Sequence, residues 1–223
     1  MEIKLIGVWY RYGGSREWAL KEVSIDLRSA EVVYVDGHNG SGKTTLLKIA
    51  SLLYQPSKGH IIVDGENFWG LDEGRRTSIR RRVVYVHEKP VLLNGTVLDN
   101  VAYGLQIRGI SRDKALENSM KVLSMFSIDA LAHTPVRKLS TGQAQLVAIA
   151  RALAVEPDIL FLDEPFSNLD RERRGLLIST LNRFRSAGMG IVLSSHSIDV
   201  GELGRHRRIV LENGEVIKVY EFE

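Results

Sequence analysis

The most chemically specific stretch of the chain is GHNGSGKTT, residues Gly37 to Thr45, which fits the spacing G-x-x-x-x-G-K-[ST]. Glycines at these positions let backbone N–H groups wrap a phosphate, Lys43 supplies a positive charge, and the Thr44 hydroxyl suits Mg²⁺. The predicted phosphate contacts are Gly37, Asn39, Gly40, Ser41, Gly42, Lys43, Thr44 and Thr45. The alternative is a glycine-rich turn that binds no ligand. The strand and helix predicted on either side favour nucleotide binding.

A second candidate site is the acidic pair in DILFLDEP, where an apolar run ends at Asp163 and Glu164. An acid at the carboxyl end of a parallel strand, beside a phosphate loop, is placed to hold Mg²⁺, and a second acid can take a proton from an attacking water. We therefore expect Asp163 to serve the metal and Glu164 to be the general base. The alternative is an acidic helix start ahead of Pro165.

The pentapeptide LSTGQ, residues 139–143, directly precedes a helical pattern. A helix start leaves backbone N–H groups unpaired and carries a positive dipole end, so this position favours an anion. We expect Ser140, Gly142 and Gln143 to contact it. The residues alone leave open which anion it is and which chain holds it.

The surrounding pattern predicts an α/β protein. Strands are expected in KEVSIDL, EVVYVD, GHIIVDGENF, RRVVYV, DILFLD and GIVLSSH, with a terminal hairpin turning at Asn213-Gly214. Helices are expected in TTLLKIASLLY, in RERRGLLISTLNRFRSAG and through most of residues 95–155, where Ser111 is a plausible N-cap. The predicted fold class is a phosphate-loop NTPase core with a mainly parallel sheet, an N-terminal antiparallel portion and an inserted helical subdomain.

Composition sets limits on the class of protein. The 223 residues are 44% hydrophobic and 26% charged, as in ordinary soluble globular proteins. The net charge of +3 comes from scattered Lys and Arg, so nucleic acid is not an expected partner. We find no run of 18 apolar residues and no signal-like start, and therefore expect a cytoplasmic chain. The absence of cysteine excludes disulfides and thiol catalysis.

Five segments follow one another along the chain: the phosphate loop, LSTGQ, ILFLDE, SNLD and SSHS. This set of motifs, in this order, resembles that of the ATP-binding cassette (ABC) ATPases. The resemblance covers essentially the whole chain and implies one ABC ATPase domain over residues 1–223. Residues 1–87 and 156–223 would form its catalytic core, and residues 88–155 its helical subdomain.

The resemblance also implies roles for particular residues. Tyr12 would stack on adenine, and His196 would reach the γ-phosphate and help to hold the attacking water. LSTGQ would bind the γ-phosphate of ATP held by a second subunit in a head-to-tail dimer, and Asp170 would join the subunit contact. The alternatives for Tyr12 and His196 are packing against neighbouring aromatics and a histidine satisfied within the core.

Three positions depart from the family pattern: Thr141 stands where glycine is usual, Leu146 where arginine is frequent, and His87 where a glutamine normally touches Mg²⁺ and the catalytic water. Imidazole can also donate to water or ligate a metal, so we expect His87 to take over both roles. The alternative is that His87 only packs against the helical insertion or the membrane partner.

The resulting prediction is a Mg²⁺-dependent ATPase subunit of an importer, at the cytoplasmic face of the membrane. Its partners would be a second, identical or related, ATPase subunit, separate transmembrane subunits and a substrate-binding protein. The cargo would be an oxyanion such as tungstate or molybdate. Soluble, non-transport ABC ATPases are the alternative, but DNA-repair cassettes carry a long coiled-coil insertion and translation-associated ones carry two cassettes. A small-molecule kinase would lack LSTGQ and the His196 segment.

Overall fold

The structure, a computed structural model, describes residues 1–195 and 200–222. The strands are β1 (Glu2–Tyr10), β2 (Leu20–Arg28), β3 (Val32–Asp36), β4 (Lys58–Val63), β5 (Glu66–Asn67), β6 (Val83–Val86), β7 (Ile159–Asp163), β8 (Gly190–Ser194), β9 (His206–Glu212) and β10 (Glu215–Phe222). The helices are α1 (Lys43–Ala50), α2 (Glu73–Arg80), α3 (Val97–Gln106), α4 (Arg112–Met125), α5 (Thr141–Leu153) and α6 (Arg171–Ser186), with short 3₁₀ turns between them.

The strands form two sheets. An antiparallel sheet has the order β2-β1-β4-β5, and a larger sheet has the order β10-β9-β3-β8-β7-β6. In the larger sheet β9, β3, β8, β7 and β6 run parallel, and β10 pairs antiparallel with β9. The carboxyl ends of β3, β7 and β8 therefore meet at one edge of the sheet, where ligands bind in open α/β folds.

The central strands β7 and β8 are buried along their whole length, so they are apolar on both faces. Along β7, Ile159 and Phe161 join a core shared with α1 and the antiparallel sheet. Leu160 and Leu162 point the other way, into a core shared with α3, α5 and α6. This period of two carries Asp163 onto the same face as α1, which follows the phosphate loop.

The connection from β6 to β7 contains α3, α4 and α5. Thr96 and Asp99 form a capping box that starts α3. Two arginines stabilise this connection: the Arg108 guanidinium donates to the carbonyls of Val155 (2.9 Å) and of Arg81, which precedes β6 (2.6 Å), and Arg151 donates to the carbonyl of Val91 at 2.7 Å.

The elements follow the sequence prediction with local differences. Helix α1 ends at Ala50, short of the predicted Tyr54, because the chain enters the left-handed region at Leu52 (φ 66°). Ser111 is the N-cap residue of α4, but its side chain makes no capping hydrogen bond. Helix α2 was not predicted. Within the described residues, no helix has the length and apolar character needed to cross a membrane.

Candidate functional site

The loop between β3 and α1 is built on glycines that the geometry requires. A Cβ on Gly37 (φ 147°) would lie 2.2 Å from the Leu211 carbonyl oxygen, and one on Gly42 (φ 108°) would lie 2.7 Å from the Ala19 carbonyl oxygen. Gly40 (φ 82°) has no atom within 4 Å of its Cβ position. The loop is thus packed against the fold on one side and open on the other, so a ligand can approach its backbone closely.

Lys43, the first residue of α1, lies across this loop. Its ammonium donates to the carbonyls of Gly37 (2.7 Å) and His38 (3.2 Å), and the side chain is 7% exposed. Burial lowers the pKa of Lys43, and the carboxylates of Glu164, Asp36 and Asp163 act in the opposite direction. The structure therefore places a largely buried cation inside a ring of backbone groups.

The acidic pair lies at the carboxyl end of β7. Asp163 is held at both oxygens: the Tyr85 hydroxyl donates to Oδ2 at 2.8 Å and the Ser194 hydroxyl to Oδ1 at 2.7 Å. The Glu164 backbone N–H donates to the same Ser194 oxygen at 3.1 Å. Glu164 has a positive φ of 46°, a conformation that non-glycine residues adopt at some cost and that is enriched at functional sites.

The phosphate loop and the acidic pair share one cavity of about 310 Å³. It is lined by Tyr12, Ala19, Asn39, Gly40, Gly42, Lys43, Thr44, Thr45, Glu88, Asp163 and Glu164. Most of the sequence-predicted nucleotide contacts are therefore brought together, although Lys43 and Asp163 are more than a hundred positions apart in the chain.

The chemistry of this cavity fits a nucleoside triphosphate with Mg²⁺. A cation and open glycine backbone suit phosphate oxygens, whereas a hydroxyl and carboxylates suit a hard divalent cation. The Ser41 hydroxyl, in the same loop, is buried and has no hydrogen-bond partner among the described residues. A phosphate oxygen bound in the loop would accept a hydrogen bond from this hydroxyl and so satisfy it.

Tyr12 stands beside the phosphate loop with its ring fixed and partly exposed. Its hydroxyl lies 3.0 Å from Thr45 Oγ1, and its ring makes edge contacts with Tyr10 (5.1 Å) and Tyr54 (6.3 Å). The side chain is 40% exposed. A ring held in this way offers surface on which a base can stack next to the bound phosphates.

The segment after β6 places its side chains differently from the sequence prediction. Glu88 lines the phosphate cavity, whereas His87 lines a groove outside it. The His87 ring packs edge-on against Tyr85, with centroids 4.7 Å apart. Burial and, next, Lys48 lower the pKa of His87, against an opposing effect of Asp163. Sequence reasoning missed Glu88, whose only signal was an acid beside the selected histidine.

LSTGQ forms the N-terminus of α5. Ser140 Oγ accepts from the Gln143 N–H at 3.3 Å, and Gln143 Oε1 accepts from the Ser140 N–H at 2.9 Å, a reciprocal capping box. A Cβ on Gly142 would lie 2.7 Å from the Asn168 carbonyl oxygen, so SNLD packs closely on this helix start. Among the described residues that line the phosphate cavity, none comes from LSTGQ. The exposed N-terminus of α5 therefore lies outside the chain's own phosphate cavity.

A family model described as ABC transporter matches residues 20–167. The chain belongs to the ABC transporter family. It is 34% identical over 225 residues to the phosphate import ATP-binding protein PstB 2 of Natronomonas pharaonis, covering 97% of this chain and 78% of that protein. It is 37% identical over 207 residues to the molybdate/tungstate import ATP-binding protein WtpC of Pyrococcus horikoshii, covering 92% of this chain and 58% of that protein.

Solved structures agree with this family. The fold is similar to the dimeric post-hydrolysis state of the ATP-binding cassette MJ0796 bound to ADP and Pi, with a TM-score of 0.90, 31% identity and 99% of each chain covered. It is also similar to cbiO1 from Clostridium perfringens, with a TM-score of 0.83 and 28% identity, covering 97% of this chain and 87% of that one. The predicted family, fold class and ATPase function are confirmed.

The groove outside the phosphate cavity is the other prominent feature of this ABC cassette. It has a volume of about 440 Å³ and lies between the end of β6 and helices α3 and α5. Several apolar side chains on its rim are exposed, among them Val91 (64%), Tyr103 (45%) and Ile107 (60%). Exposed apolar side chains gathered around one groove are typical of a surface that receives a partner.

His196 lies outside the described residues. The preceding residue, Ser195, is buried. The Ser195 carbonyl accepts a hydrogen bond from the Tyr34 hydroxyl on β3. Asp170, expected at a subunit contact, is the N-cap of α6, where its carboxylate accepts from the Arg173 N–H at 2.9 Å.

Proposed function

We propose that the chain is the ATP-hydrolysing subunit of a membrane importer and works with Mg²⁺. The observation that carries the chemistry is the single cavity shared by Lys43, Thr44, Asp163 and Glu164. Thr44 and Asp163 would hold Mg²⁺, which would neutralise phosphate charge as it develops. Lys43 binds the β- and γ-phosphates, and the remaining loop residues and Tyr12 bind the rest of ATP.

Glu164 is the general base in this proposal. Its carboxylate lies at the edge of the cavity beside the metal-binding Asp163, and its backbone N–H bond to Ser194 fixes its position relative to that acid. The base accepts a proton from water as the water attacks the γ-phosphate. Glu88 supplies a third carboxylate to the cavity and takes the place that the sequence prediction gave to His87. His196 retains its predicted role of helping to hold the attacking water.

A second ATPase subunit completes the site. The Ser140 end of α5 lies outside its own cavity, and similar cassettes have been solved as dimers. Backbone N–H groups at a helix start bind anions well. In our proposal this helix start meets the γ-phosphate held by the partner, so each of the two active sites contains residues of both chains. Residues 88–155 serve as the subdomain that carries this helix to the partner.

Ser140→Arg is expected to reduce ATP hydrolysis by about 10²-fold or more, because a bulky side chain displaces the partner's phosphate. Binding of ATP to the same chain, measured by calorimetry on the monomer, should not change. Mixing this variant with Lys43→Ala protein should restore activity, since one composite site per mixed dimer is intact.

Ser140→Ala is the matched control, because it removes the capping hydroxyl without adding bulk. It should cost about 1 kcal/mol of stability and far less activity than the arginine. Weakened ATP binding in monomeric Ser140→Arg, or an inactive mixture, would contradict a site shared between subunits.

The groove is proposed to receive a transmembrane subunit, which would place the cassette at the cytoplasmic face of the membrane. Its exposed apolar rim suits an apolar helical segment of such a partner. Relatives named as phosphate, molybdate/tungstate and methionine import proteins support an importer. A substrate-binding protein and an oxyanion cargo remain predictions, as does the lack of a nucleic-acid partner.

Ile107→Asp is expected to abolish co-purification with the transmembrane subunit proposed here, because a charge would be buried in the groove. Basal ATPase activity of the isolated chain should persist. Ile217→Asp, on the exposed edge strand β10, is the matched control and should leave co-purification intact. Equal recovery of both variants with the membrane protein would argue against the groove as the docking surface.

A further inference from the structure

An arginine-rich cavity of about 460 Å³ lies at the end of the larger sheet opposite the phosphate loop. Its charged lining consists of Arg28, Arg185, Arg205, Arg207, Glu31 and Glu221, with His206 beside them. Val32, the first residue of β3, also lines it, whereas the phosphate loop follows the last residue of the same strand. At about 3.3 Å per residue, β3 separates the two sites by roughly 17 Å. This arginine cavity is therefore distinct from the nucleotide site.

Two of its arginines are neutralised within the fold. Arg207 lies against Glu31 (Nε to Oε1, 3.0 Å) and Asp26 (Nη1 to Oδ1, 3.2 Å). Arg28 lies against Glu2 (2.9 Å) and the other oxygen of Asp26 (3.2 Å). The Arg207 side chain is only 15% exposed, so the packing around it holds these ion pairs in place.

The other two arginines, Arg185 and Arg205, have no such partner. Neither makes an ion pair or a side-chain hydrogen bond with any residue in the ranges 1–195 and 200–222. The Arg185 guanidinium is half-buried and lies against Gly204, where an added Cβ would be 3.0 Å from Nη1. Four arginines face two glutamates in the lining, a formal excess of two positive charges. The cavity is therefore suited to an anion.

The position of Arg185 has a simpler use, which does not explain the whole arrangement. Arg185 lies in the last turn of α6, where a cation offsets the helix dipole. Arg183 lies in the same turn but does not line the cavity. The dipole accounts for a basic last turn, but not for a second unpaired arginine, Arg205, contributed by the segment before β9. Guanidinium groups that converge from separate elements match the oxygens of a phosphate or carboxylate.

We propose that the arginine cavity binds a compact oxyanion with two negative charges, either inorganic phosphate or the phosphate group of a small ester. Arg185 and Arg205 bind the oxyanion directly, and the paired Arg28 and Arg207 complete the lining. The volume is that of a small-molecule site. Glu221, the lining carboxylate without an ion pair among the described residues, opposes the anion. This assignment does not depend on the proposed ATPase function.

The binding is tested at the arginine side chains themselves. The Nε–Hε signals of Arg185 and Arg205 are followed by nitrogen-15 NMR while inorganic phosphate is added at constant ionic strength. Both signals should follow one saturable curve. Lys43→Ala should give the same curve, because Lys43 lies in the phosphate loop at the other end of the sheet. Arg185→Gln and Arg205→Gln should each weaken binding about tenfold, since each removes a charge-assisted hydrogen bond.

Three further measurements separate a specific site from general attraction. Arg183→Gln removes the other arginine of the same helical turn and should leave the phosphate affinity unchanged. Glu221→Gln should tighten binding, because it removes the opposing charge. Thermal melts check that each variant is folded, and Arg205, which is exposed, can be replaced without disturbing the core.

Glycerol 3-phosphate, titrated in the same way, distinguishes the two sources of the oxyanion. Tighter binding of the ester indicates a phosphorylated small molecule, and tighter binding of phosphate indicates the free ion; both results support the site. Signals that do not saturate with either anion would overturn it. An equal loss of affinity in Arg183→Gln would do the same, because it would show attraction to a generally basic surface. Saturation by a polyglutamate peptide alone would replace the small-anion site with a protein contact.

Discussion

Glu164→Gln is expected to slow ATP hydrolysis by about 10²–10⁴-fold, the usual cost of losing a general base. The amide keeps the shape of the side chain at the end of β7 but cannot accept the proton of the attacking water. ATP binding should persist, because the substitution removes negative charge from a cavity that receives phosphates. The ATP-bound dimer should therefore accumulate, as seen by size-exclusion chromatography with MgATP.

The matched control for this variant is Glu156→Gln. Glu156 also has a positive φ (47°), but it is exposed and does not line the phosphate cavity. It should retain parent activity and show no ATP-dependent dimer beyond that of the parent. Normal turnover by Glu164→Gln would place the base elsewhere. A variant that binds ATP but stays monomeric would indicate that the dimer needs a different partner cassette.

Lys43→Ala is expected to abolish ATP hydrolysis, because in the proposed site its ammonium binds the β- and γ-phosphates. The sequence analysis expected a loop lysine of this kind, and the structure shows it to be largely buried and bonded to the loop carbonyls. The variant should still fold, because the loop backbone also packs through Gly37 and Gly42. ATP binding and turnover are measured by calorimetry and phosphate release.

Lys48→Ala is the control for Lys43→Ala, since it removes a lysine from the same helix. Lys48 lies over the Tyr54 ring at 5.6 Å and does not line the phosphate cavity. Its loss should leave hydrolysis close to the parent rate. Near-parent turnover in Lys43→Ala, with circular dichroism showing a folded protein, would overturn the site assignment.

Features set by local chemistry could be predicted from the sequence alone. The glycines of GHNGSGKTT and the Asn213-Gly214 turn both depend on backbone conformations that a few neighbouring residues determine. The apolar run ILFLD likewise predicts a strand buried on both faces, whatever its neighbours are.

Strands and helices without a regular pattern of apolar residues were not predicted from the sequence. In β1 the buried residues Ile3, Leu5 and Val8 change spacing from two to three at an irregularity beside Gly7, so strict alternation fails. Helix α2 buries only Ile79, and a helix with one buried residue has no apolar periodicity to detect. Both elements are stabilised by pairing or packing partners that are distant in the sequence.

The sequence and the tertiary structure determined different features of the candidate site. The sequence by itself determined which residue types line the phosphate cavity, because the loop and the acidic strand end are local motifs. Only the tertiary structure decided that Glu88 rather than His87 lines the phosphate cavity and that the Tyr85 hydroxyl donates to Asp163. Those facts depend on the register of β6 against β7, and strand register is set by contacts between segments more than seventy residues apart, which no local pattern contains.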